Sequence, residues 1–140
     1  LRHLPAAVES RSRIAARYHR MLADNDLVGD DALILPTPDP NAFHVWNQYA
    51  IRVPGGRRDA LRAHLSENGV GSEIYYPVPM HQQECFMDLQ TDGSNLVETE
   101  KASKEVLNLP IFPGLTEAEQ CRVVEVVADY FATGLNKIAA

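Results

Sequence analysis

Apolar residues recur from the start of the chain at helical spacing. Leu4, Val8, Ala15, Tyr18 and Leu22 lie three, four or seven positions apart, the period of one helix face. The pattern predicts a helix from about Leu4 to Ala23, ended by Asp24-Asn25-Asp26, with Arg11, Arg13, Arg17 and Arg20 on a solvated face. Residues 25–44 carry four acidic residues with Pro36, Pro38 and Pro40, so a loop or an extended edge piece is expected there. The period then changes to two. Val45, Tyr49, Ile51 and Val53 share one face of a strand, with Asn47 the exception, and Trp46, Gln48, Ala50 and Arg52 share the other. That second face mixes an aromatic ring, an amide and a cation. It is expected to meet another domain and to leave Trp46 in an exposed apolar patch.

Pro54-Gly55-Gly56 predicts a turn, and Leu61 with Leu65 a short helix capped by Asn68-Gly69. Val70–Tyr76 predicts a second strand, stopped by Pro77 and Pro79. Asn95 and Glu98 resemble a capping box for a helix running to about Leu107, and Asn108–Phe112 predicts a third strand closed by Pro113-Gly114. Thr116 and Glu119 form a second capping box, opening a helix that is expected to end at Thr133 with Gly134 just past it. The expected fold is therefore α/β (α+β): a small three-stranded sheet with helices packed on one face, formed by one domain over residues 1–140.

Composition narrows the function. The 140 residues are 45% hydrophobic and 23% charged, ordinary for a globular domain, and the net charge of −6 disfavours a nucleic-acid partner. No apolar run reaches the roughly 20 residues that cross a bilayer, and no signal peptide is visible, so a cytoplasmic protein is expected. Cys85 and Cys121 have neither disulfide nor metal spacing and read as buried small hydrophobes. The chain opens Leu1-Arg2-His3-Leu4-Pro5 without an initiator methionine, which suggests a fragment.

The segment densest in chemistry is Gly69–His81. It passes from a helix cap through a strand into a loop stiffened by Pro77 and Pro79, presenting Tyr75, Tyr76 and His81. Two phenols and an imidazole on a rigid loop suit polyhydroxyl or anionic groups. The alternative is a tyrosine-rich strand edge with an incidental histidine. If the strand holds to its end, the two phenols leave on opposite faces, with Tyr76 the inward one. His44–Tyr49 is a second candidate, and Leu107–Pro113 reads as structural. Among the lysines, Lys101 and Lys104 sit in a polar run and Lys137 lies near the end, so none has the desolvated setting a Schiff base requires. No phosphate-cradling glycine loop is visible.

The runs His44–Arg52, Gly69–His81, Glu100-Lys101-Ala102 and Leu109–Thr116, in this order, resemble the C-terminal signatures of the DegT/DnrJ/EryC1/StrS family of nucleotide-sugar aminotransferases, which depend on pyridoxal phosphate (PLP). The resemblance implies the small domain of a type I PLP transferase, with the preceding PLP-binding domain absent from this chain. It implies a homodimer that moves an amino group from glutamate to a nucleotide-linked keto sugar, in cell-surface polysaccharide or glycan biosynthesis, with PLP as the electron sink. It places Tyr75 and Tyr76 at substrate, with His81 holding or bonding the loop. The fragment itself is expected to bind no cofactor and to be inactive. Two departures from the family pattern are Tyr75, where histidine is frequent, and Leu96-Val97, where a proline is common. A PLP-dependent sugar dehydratase of the same family, or a free-standing binding or association domain, remains an alternative.

Overall fold

The computed structural model describes residues 2–29, 31–86 and 96–138, the last four by backbone alone. Helix α1 (Leu4–Asp24) starts with Pro5 in its first turn, where the missing N–H costs nothing and the fixed φ suits a helix. It buries Ile14, Ala15, Tyr18 and Leu22. The arginine face is less free than the spacing implies. Arg11 donates to the Val45 carbonyl at 3.1 Å and Arg17 to Gln120 Oε1 at 3.0 Å, so both tie α1 to other parts of the chain.

Strand β1 is Tyr49–Arg52, shorter than the alternation predicts. Trp46 has φ +51° and turns the chain just before the strand, which resets the two-residue period. Val45 therefore ends up exposed and Trp46 buried, at 45% and 9% accessibility. Trp46 is not part of an exposed patch: its ring packs against His44, His19 and Tyr49. From Tyr49 onward the alternation holds, with Tyr49, Ile51 and Val53 all fully buried.

Helix α2 (Arg58–Glu67) buries Leu61 and Leu65 and hands over through Asn68 to Gly69 at φ +74°, a left-handed position that glycine occupies at low cost. Two 3₁₀ turns follow, Met80–Gln82 and Glu84–Phe86. Helix α3 (Val97–Glu105) runs directly into β2 (Val106–Leu109). Both predicted boundaries move. The antiparallel ladder with β1, from Tyr49 opposite Leu109 to Arg52 opposite Val106, draws Val106 and Leu107 out of the helix. At the other end Pro110, lacking an N–H, ends the strand. Asn95 lies outside the described residues; Leu96 occupies the N-cap and makes no side-chain cap bond.

Among the described residues the sheet has two strands, not three. Val70–Tyr76 does lie along β2, but it pairs only through Glu73 and Asn108, which exchange backbone bonds of 3.2 and 2.8 Å. On the other edge Ile34 pairs with Arg52 in the same way, so the proline-rich connection supplies an extended edge at one residue.

Helix α4 (Glu117–Ile138) packs on α1 and α2 and continues through Gly134 instead of stopping there. A helical glycine costs about 1 kcal/mol, too little to end a helix by itself. The second capping box is present: Thr116 N–H donates to Glu119 Oε2 at 2.8 Å, and Glu119 N–H donates to Thr116 Oγ1 at 3.3 Å. The core lies between these helices and the sheet, where Tyr18, Leu22, Tyr49, Ile51, Leu65 and Leu107 are sealed from solvent. Each such side chain contributes about 1.5–3 kcal/mol on burial. Cys85 is exposed and Cys121 partly so, contrary to the buried expectation, because one sits on a short surface turn and the other flanks the apolar stripe of α4. No helix among the described residues is long and apolar enough to cross a membrane.

Candidate functional site

After Glu73 the Gly69–Tyr76 segment leaves β2, and the chain enters Pro77-Val78-Pro79 with no ladder to enforce alternation. Tyr75 and Tyr76 consequently do not diverge. Their ring centroids are 5.8 Å apart at 60°, and the peptide between them is cis. Tyr76, expected inward, is the more exposed phenol, at 73% against 44% for Tyr75. Both line one groove of about 450 Å³. Its opposite wall is α3, through Glu98, Thr99, Ala102 and Ser103, with Val106 at the base.

His81 does not line that groove. It lies in the first 3₁₀ turn, and its Nε2 sits 3.2 Å from Glu100 Oε1 on α3. Pro79, just before the turn, is buried, and the His81–Glu100 pair ties the tyrosine loop to the helix. His81 Nδ1 is buried without a partner. The geometry supports loop-holding by His81 more than direct ligand contact.

Tyr75 also borders a second groove of about 580 Å³, between Gly69–Glu73, the residues following β2 and the start of α4. Asn47 and Gln48 lie on its rim, so part of the His44–Tyr49 motif faces a cavity. Trp46 and Tyr49 belong to the core. Tyr49 Oη lies 3.1 Å from His19 Nδ1, and Tyr18 Oη donates to the Pro110 carbonyl at 3.0 Å. Burial pushes both phenols well above the usual tyrosine range, Tyr18 further through the nearby Glu119 carboxylate. They stay protonated and structural. Ile111 and Phe112 also line this second groove.

Sequence patterns alone do not mark Glu98, Thr99, Ser103 or Glu100 as site residues. They sit more than twenty positions from the tyrosines, and the sequence presents Glu98 only as a helix cap and Glu100 only as part of a family run. The available signal was the four-residue spacing Glu98/Ala102 and Thr99/Ser103, which puts a polar-lined stripe on one helix face.

Neither Lys101 nor Lys104 fits covalent attachment of PLP. Lys101 and Lys104 are exposed on α3, and neither lines a groove. Nor do the described residues bring together three His, Cys, Asp or Glu side chains able to hold a metal.

A pleiotropic regulatory protein of Geobacillus stearothermophilus is 42% identical over 129 residues, which is 92% of this chain and 33% of that protein. The UDP-N-acetyl-3-dehydro-alpha-D-glucosamine 3-aminotransferase of Acidithiobacillus ferrooxidans is 35% identical over 125 residues, 89% of this chain and 31% of that one. The crystal structure of S. venezuelae DesV in complex with a ketimine intermediate superposes with a TM-score of 0.82 at 33% identity, over 93% of this chain and 33% of DesV. An ntda structure from Bacillus subtilis, with bound cofactor PMP, superposes at 0.74 with 35% identity, over 86% of this chain and 27% of that one. The chain thus spans about a third of the length of these relatives, corresponding to a C-terminal portion. The DegT/DnrJ/EryC1/StrS aminotransferase family model matches residues 1–128, and the chain belongs to that family.

Proposed function

We propose that this chain is the small domain of a PLP-dependent aminotransferase acting on a nucleotide-linked keto sugar, with glutamate as donor and a homodimeric assembly. In this reading the cofactor lysine lies in the remaining two thirds of the protein, and the chain supplies one wall of the substrate site. The observation that carries the reading is the convergence of Tyr75 and Tyr76 on one groove, with their loop clamped to α3 by His81 and Glu100. A rigid wall of hydroxyl groups positions a polyhydroxyl substrate without having to be ordered on binding.

The test is steady-state kinetics of the intact protein that carries this chain, with a nucleotide-linked keto sugar and glutamate. Tyr76→Phe removes one hydroxyl and should weaken substrate binding by about 0.5–1.5 kcal/mol, seen mainly in KM. His81→Ala should cost more, because it releases the loop that carries both phenols. Unchanged kcat/KM in both variants would mean that the segment is structural only.

A further inference from the structure

We propose that Asn68 is a site of covalent modification: its side chain is deamidated by attack from the Gly69 nitrogen, at a rate set by opening of the α2 C-cap. Every other asparagine in the chain precedes a residue with a side chain. Such a side chain shields the following nitrogen, and glycine has none. Asn68 and Gly69 are both exposed, and a Cβ on Gly69 would meet only open space, so water reaches the dipeptide freely. The chemistry needs nothing beyond the chain and water. The Gly69 nitrogen gives its proton to hydroxide and bonds to Asn68 Cγ. The Cγ–Nδ2 bond breaks, and ammonia leaves with a proton taken from water, so a five-membered imide closes. Water then opens the imide at either carbonyl. One product is aspartate. In the other, isoaspartate, the main chain runs through Cβ and is one carbon longer. The exchange of ammonia for water involves no oxidation or reduction.

The folded structure holds this reaction back. Asn68 has ψ +15°, and the ring closes only after rotation about that bond brings Cγ and the Gly69 nitrogen to the same side. Three hydrogen bonds resist the rotation. Gly69 N–H donates to the Ser66 carbonyl at 3.0 Å and Val70 N–H to the Leu65 carbonyl at 2.8 Å. Asn68 Nδ2 donates to the His64 carbonyl at 2.9 Å. The first bond occupies the attacking nitrogen and the last the leaving group. All three use the final carbonyls of α2, so the last turn of the helix must open before the imide can form. The product then does not fit the cap it came from. Its carboxylate stands at the negative end of the helix dipole and cannot donate to the His64 carbonyl. Isoaspartate also lengthens the link into Gly69, whose φ of +74° directs the segment that leads to Glu73. That segment is tied to β2 through Glu73 and Asn108 and walls the groove of about 580 Å³. A single deamidation at the end of α2 therefore loosens that wall irreversibly.

The experiment ages the 140-residue chain in mildly alkaline buffer, with and without denaturing urea, and follows each asparagine by peptide mass spectrometry. In urea, Asn68 should react before every other asparagine. In plain buffer its rate should be lower by about ten-fold or more, because the cap must open first. Ser66→Gly weakens the last turn of α2 without touching the dipeptide, and Ser66 is exposed. It should raise the rate in plain buffer about two- to five-fold and leave the rate in urea unchanged. Hydrogen exchange of the aged chain should show faster amides between Gly69 and Glu73 than in the fresh chain. Equal rates for Asn68 with and without urea would overturn the inference. So would earlier reaction of another asparagine in urea, or a Ser66→Gly rate in plain buffer equal to that of wild type. Unchanged exchange between Gly69 and Glu73 in fully deamidated chain would refute the loosening of the groove wall.

Discussion

Arg58 offers the sharpest test of how α3 is held in place. Its side chain is only 10% accessible, an unusual setting for a guanidinium. Nη1 donates to the Ser103 carbonyl at 2.9 Å and sits 3.4 Å from that of Val106, while Nε donates to Asp59 Oδ1 at 2.6 Å. Ser103 lies in the last turn of α3, where carbonyls lack intrahelical partners and the helix dipole favours a cation. Arg58 therefore works as a C-cap donated by α2, and it fixes the helix that forms the second groove wall. Arg58→Met keeps most of the volume and removes the donors. The lost bond to a charged group is worth about 1.5–3 kcal/mol, and the dipole interaction adds about 0.3–1. Relief from desolvating the guanidinium offsets part of this. A net loss of about 2 kcal/mol is expected, or a urea midpoint lower by about 1 M at a slope near 2 kcal/mol/M. Asp59 is 78% accessible, so Asp59→Asn should cost less than about 0.5 kcal/mol. Urea denaturation of the 140-residue chain followed by circular dichroism reads both. Hydrogen exchange should also show faster amides at the end of α3 in the arginine variant. Equal losses for the two substitutions, or a change below about 0.5 kcal/mol for Arg58→Met, would refute the capping argument.

Three further outcomes are expected. Gln120 is fully buried and bridges two helices, donating to the Ile14 carbonyl and accepting from Arg17, each at 3.0 Å; Gln120→Ala should cost about 1–3 kcal/mol in the same denaturation assay. Thr116→Ala should cost about 1 kcal/mol near neutral pH. Bonds from Thr116 hold the Glu119 carboxyl below its ordinary value, so its contribution is present above the unfolded carboxylate range and lost as pH falls through the folded value; the gap between Thr116→Ala and wild type in urea midpoint should therefore narrow on acidification below about pH 4. Finally, PLP mixed with the 140-residue chain and reduced with borohydride should leave no stoichiometric pyridoxyl adduct on a single lysine, as peptide mass spectrometry would show; neither Lys101 nor Lys104 is desolvated.

Much of the architecture was written in local chemistry. The apolar periods marked α1, α2 and α4, because burying one face every 3.6 residues is a constraint each segment expresses by itself. Thr116 and Glu119 announced the start of α4 through bonds made within four residues. Even the core face of β1 followed from alternation once Tyr49 was reached. What only the tertiary structure decided was non-local. The ladder with β1 determined that Val106 and Leu107 belong to a strand, and a left-handed Trp46 turned its own ring into the core. The tyrosines were visible as chemistry, but their common groove was not. It depends on the segment leaving β2 after Glu73 and on α3 folding back beside it, with His81 and Glu100 closing the gap. A periodicity reports which way a residue faces on its own element. Which residues face it from elsewhere is settled by packing, where many weak contacts decide together.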